Sequence, residues 1–148
     1  MNLKDKINQD LKEAMKSGDK IRLQTIRSIR AGILEFEKSG AGKQMDEAEE
    51  TKLLSTAAKK RKESIEQFRK GGREELAVSE EAELKVIMEY LPAQLNSDEI
   101  ESVVKKIAEE TGSSTKADFG KLMSAAMKEL KGKADGNIVK KMVEKVLS

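Results

Sequence analysis

The residues whose type and spacing could do chemistry are cations near the end of the chain. From Ser113 to Ser148 there are eight lysines against four carboxylates: Asp118, Glu129, Asp135 and Glu144. Lys131 and Lys133 flank Gly132 in a turn that runs into the last helix, whose first N–H groups and dipole favour an anion. Lys116, Lys121, Lys140 and Lys141 extend the charge. The chemistry is phosphate contact; the competing reading is a solvated turn whose lysines stabilise the C-terminal end of the preceding helix. A secondary basic surface follows Lys59-Lys60-Arg61-Lys62 through Arg69 to Arg73, diluted by Glu63 and Glu66, with Arg27 on another helix. Four like charges on a mixed helix also describe an ordinary solvated face.

Other chemistry is poorly supplied. The chain has no His, Cys or Trp, which removes Ser-His-Asp and Cys-His catalysis, imidazole or thiolate metal sites, and disulfides. Gly40-Ala41-Gly42-Lys43 resembles a phosphate loop only superficially. Glu37 stands where the first glycine belongs, Gln44 replaces the required Ser or Thr, and a helix precedes it instead of a strand. Asp135-Gly136-Asn137 begins like a calcium loop, but Val139 cannot ligate and Val146 occupies the closing Glu position. It reads as a helix cap. No residues call for a metal or cofactor, and no constellation calls for catalysis by this chain alone.

These cations must be positioned by helices. Apolar residues recur at three- and four-residue spacing over Asn2 to Ser17 (Leu3, Ile7, Leu11, Ala14, Met15) and Lys20 to Lys38 (Ile26, Ile29, Ile33). A long, sparsely apolar helix over Asp46 to Lys70 is expected to be half covered. A fourth, over Arg73 to Tyr90, ends before the single proline, Pro92. Three shorter helices follow. Asn96 with Glu99 forms a capping box, Thr115 with Asp118 opens the next helix, and Asp135 caps the last, whose inner face includes Ile138. No stretch alternates with period two. The prediction is an all-α chain: a domain of about four helices over residues 1–92 and a three-helix bundle over residues 93–148.

The chain is 148 residues long, 37% hydrophobic and 38% charged, with a net charge of +2. That balance falls well short of a generally basic nucleic-acid coat, so electrostatic function must come from local patterning. No secretion signal or run of about 18 apolar residues is seen. The default expectation is a cytoplasmic protein.

Gly71-Gly72-Arg73-Glu74-Glu75-Leu76, Glu81-Ala82-Glu83-Leu84 and Tyr90-Leu91-Pro92-Ala93-Gln94-Leu95 follow in an order and spacing that resemble the YqeY family. Thr25-Ile26-Arg27, Lys116-Ala117-Asp118-Phe119-Gly120-Lys121-Leu122-Met123 and Lys131-Gly132-Lys133-Ala134-Asp135-Gly136 extend the resemblance over essentially the whole chain. YqeY proteins are similar to the helical and tail regions of GatB, a subunit of the tRNA-dependent amidotransferase. The resemblance implies a tRNA partner, with an aminoacyl-tRNA synthetase or amidotransferase subunit as the alternative. It implies phosphate contact at the corners Gly120-Lys121 and Lys131-Gly132-Lys133, the other reading of Gly120 being close helix packing. It also brings GatB's designation, a carbon–nitrogen ligase with glutamine as amido-N donor, which belongs to a catalytic region without counterpart here. The expected role is a non-catalytic accessory that reads structured RNA by phosphate and shape. An adaptor whose Met123, Met127 and Met142 line an adaptable groove is the other reading.

Overall fold

A computed structural model of the chain describes residues 2–40 and 44–148. The Gly40-Ala41-Gly42-Lys43 loop considered above therefore lies largely outside the described residues. Those residues form helices α1 (Leu3–Ser17), α2 (Lys20–Ser39), α3 (Glu47–Lys70), α4 (Glu74–Met88), α5 (Ser97–Thr111), α6 (Phe119–Leu130) and α7 (Gly136–Leu147), with a 3-10 turn over Lys116–Asp118 and no strand among them. The chain is all-helical.

Local chemistry explains the helix starts. Asn2, Asp19, Asp46 and Asn96 each accept a backbone N–H three residues on, supplying partners for donors that no helix can satisfy internally. At α5 the Glu99 carboxylate also accepts the Asn96 N–H at 3.1 Å, completing the capping box. Asp135 accepts from Asn137 N at 2.8 Å and so caps α7.

Two compact units, Met1–Leu91 and Pro92–Ser148, divide the chain. In the first, α3 and α4 pack along each other, while α2 packs on α1, α3 and α4. Its core holds Ile7, Ile26, Ile29, Ile33, Leu54, Ala58 and Ile87. Gly32 lies inside α2, where a Cβ would sit 2.8 Å from Cδ1 at the end of the Leu53 side chain. Ile65 and Phe68 are only half-buried, so the C-terminal part of α3 is half covered, as its sparse apolar stripe predicts, and Leu76 of α4 is half-buried too. In the second unit α5, α6 and α7 enclose Ile100, Val104, Ile107, Leu122, Ala126, Leu130, Val139, Val143 and Leu147.

Three local expectations are corrected. Met15 is 58% exposed and Ile138 44% exposed. At about 100° per residue, each lies roughly a quarter turn or more from its helix's buried centre. The fourth helix ends at Met88 rather than Tyr90, because the Glu89 and Tyr90 N–H groups turn to carbonyls three residues back.

Candidate nucleic-acid interface

Four lysines of the second unit lie toward the two ends of α6. The N-terminal end of α6 carries Lys116 and Lys121, and the 3-10 turn holding Lys116 also packs on α7. The other end carries Lys131 and Lys133 in the α6–α7 turn, while Lys140 and Lys141 lie near the middle of α7. Twelve helical residues separate the ends by about 18 Å. All six side chains are exposed, and none forms a salt bridge among the described residues. Lys145, by contrast, shares Glu101 with Lys105 at 3.3 and 3.1 Å, and these hydrogen bonds, Lys105 first, pull the Glu101 carboxyl below the usual range. Gly120 is exposed and a Cβ would meet nothing within 4 Å, so helix packing does not require it.

Each end is locally braced. Asp118 Oδ2 accepts from Ser114 N at 2.9 Å and Thr115 N at 3.2 Å, fixing the turn that carries Lys116. Those two backbone N–H groups, with Lys121 nearby, hold the Asp118 carboxyl below its ordinary value. A depressed carboxylate contributes stability above its unfolded pKa and loses it as pH falls through the folded one. Asp118→Asn is therefore expected to flatten the acid limb: below about pH 4 the urea midpoint of the natural chain should fall more steeply than the variant's. At the other end, Gly132 has a left-handed φ of 81°. Gln94 Nε2 donates to its carbonyl at 2.7 Å, and Leu95 N donates to the Lys133 carbonyl at 2.9 Å. Hydropathy and charge patterning could not find Gln94, because nothing in a local window links it to a turn 38 residues away.

The secondary basic surface of the first unit is divided. Arg69 pairs with Glu74 and Glu81 of α4. Arg61 lies 3.9 Å from Glu83 Oε1 and 3.5 Å from Ser28 Oγ. Arg27, Lys59, Lys62 and Arg73 are exposed. Arg30 is exposed and its Nε donates to Asn8 at 3.0 Å. Sequence reasoning also missed Tyr90, whose hydroxyl donates to Asp10 Oδ2 at 2.5 Å; burial, then this carboxylate, raise its pKa. Phe119 and Met123 pack against the apolar core of the second unit, as does Met127, and Met142 is part of it. Phe119, the single ring of that unit, is half-buried.

The profile of a family described as "Yqey-like protein" matches residues 4–147. Curated relatives carry the name "Altered inheritance of mitochondria protein 41, mitochondrial". One from Pyrenophora tritici-repentis is 34% identical over 148 residues, spanning 96% of this chain and 79% of that protein. One from Lachancea thermotolerans is 40% identical over 85 residues, spanning 57% of this chain and only 46% of its own length. One from Saccharomyces cerevisiae is 33% identical over 129 residues, spanning 85% and 66%. These mitochondrial names overturn the cytoplasmic expectation. No described helix is long and apolar enough to cross a membrane, but that property does not choose a compartment.

Proposed function

We propose, from the premise that the chain belongs to the Yqey-like protein family, that it is a non-catalytic accessory protein binding structured RNA, tRNA in the first instance, through its second unit. The two units act as separate domains, four helices and three, and the smaller carries the ligand surface. One observation carries the reading: Lys116, Lys121, Lys131, Lys133, Lys140 and Lys141 are exposed and form no salt bridge among the described residues, whereas Lys105 and Lys145 are engaged by Glu101. Cations spread along a helix about 18 Å long suit a polyanion better than one isolated phosphate. Folded RNA is recognised largely through backbone and shape, whereas single-strand binders rely on stacking rings.

The test is binding to bulk tRNA and to duplex DNA of equal charge across a salt series. With about four phosphates neutralised, the log–log slope for tRNA should lie near −3 to −4. Changing Lys121, Lys131 and Lys133 to Ala should weaken tRNA binding and reduce the magnitude of that slope by about 2. A flat salt response, or equal binding to both polymers, refutes the reading and directs the search to a protein partner.

A further inference from the structure

Gln94 and Leu95, which bear no charge, hold the turn that carries Lys131 and Lys133. Gln94 lies outside any helix, and its side-chain amide has two N–H groups. The amide nitrogen lies 2.7 Å from the Pro92 carbonyl and 2.7 Å from the Gly132 carbonyl, so both protons are used. Leu95 N donates to the Lys133 carbonyl at 2.9 Å, one residue further along the same turn. Consecutive carbonyls of the Lys131-Gly132-Lys133 turn are thus held by consecutive residues of the 94–95 segment. Within the turn, Lys133 N and Ala134 N both donate to the Leu130 carbonyl. Gly132 supplies the left-handed backbone that lets its carbonyl face Gln94.

We propose that Gln94 is a positioning residue for phosphate binding: by anchoring the Gly132 carbonyl it fixes the direction in which Lys131 and Lys133 leave the turn. This rests on the RNA-binding reading above. A lysine pair on a loose turn pays its ordering entropy when the ligand arrives, whereas a braced turn has paid it in folding. Gln94 carries no charge, so its loss costs affinity without removing a phosphate contact. A lysine substitution does the reverse, removing released counterions and flattening the salt dependence.

The experiment compares tRNA binding of the full chain, Gln94→Met, Lys131→Ala with Lys133→Ala, and the triple combination, each over a salt series. Methionine keeps the length and bulk of the side chain but donates nothing, and Gln94→Ala serves as the second variant. Thermal melts establish that each variant is folded. Gln94→Met is expected to weaken tRNA binding about fivefold, the order of the one hydrogen bond lost from the Gly132 carbonyl, with an unchanged salt slope. Adding it to the two lysine changes should cost nothing more, the non-additivity expected of residues acting through one another. An unaltered affinity in both Gln94 variants, or the same fivefold loss without the lysines, overturns the proposal while leaving the RNA reading intact. Absence of salt-dependent tRNA binding by the natural chain overturns both.

Discussion

Leu122→Ala is expected to abolish tRNA binding at moderate temperature while leaving every lysine in place. Leu122 is 0% exposed and sits in the core with Ile100, Val104 and Val143. Removing three carbons from such a site costs the transfer energy plus the cavity left behind, about 3 kcal/mol. A helical unit this small has little more stability than that to lose. Its melting temperature should fall by about 15 °C. Circular dichroism during heating is the direct measurement, and two separable domains require that only part of the signal move. The matched control is Ile26→Ala, equally buried in the first unit, which should shift the other part of the melt and spare RNA binding. A single transition displaced by both variants would show that the units unfold as one block and would refute the proposed division.

Much of this architecture is legible in the residues themselves. Capping is local chemistry, so Asn96, Glu99, Asp118 and Asp135 announce their helix starts within four residues. Periodicity finds the stripe of Ile26, Ile29 and Ile33 because it depends only on helix geometry. It cannot say where a stripe stops being covered, and so it misplaced Met15 and Ile138. Nor does it show that Gly32 faces the end of the Leu53 side chain. The candidate surface is legible as charge but not as arrangement. Which lysines are engaged depends on Glu101 of α5 reaching Lys145 of α7, and what steadies the turn depends on Gln94. Those pairings are tertiary, with no sequence period to reveal them.

Arg61 shows how far such a pairing can change a residue's meaning. In the sequence it belongs to a run of cations, but its side chain is only 13% exposed and faces Glu83, itself 16% exposed. Burial and the nearby Glu80 raise the Glu83 carboxyl, while Arg61 acts to lower it. Arg61→Met keeps much of the apolar stem and removes the countercharge, stranding a half-desolvated carboxylate. At pH 7 the expected loss of stability is about 2 kcal/mol, below that for a fully buried pair because the ions keep some solvent and stand 3.9 Å apart. The pH dependence follows from the direction of the shift. A carboxyl whose folded pKa lies above its unfolded value favours the fold when protonated, so stability rises as pH falls through the folded value. Without Arg61 the Glu83 pKa rises further, and the deficit should shrink between pH 7 and about 5. Adding Glu83→Gln should recover most of it at neutral pH, since the amide needs no countercharge. Urea unfolding of the three proteins at pH 5 and 7 measures this. A deficit that is the same at both pH values would mean that Arg61 acts through the packing of its stem and not through its charge.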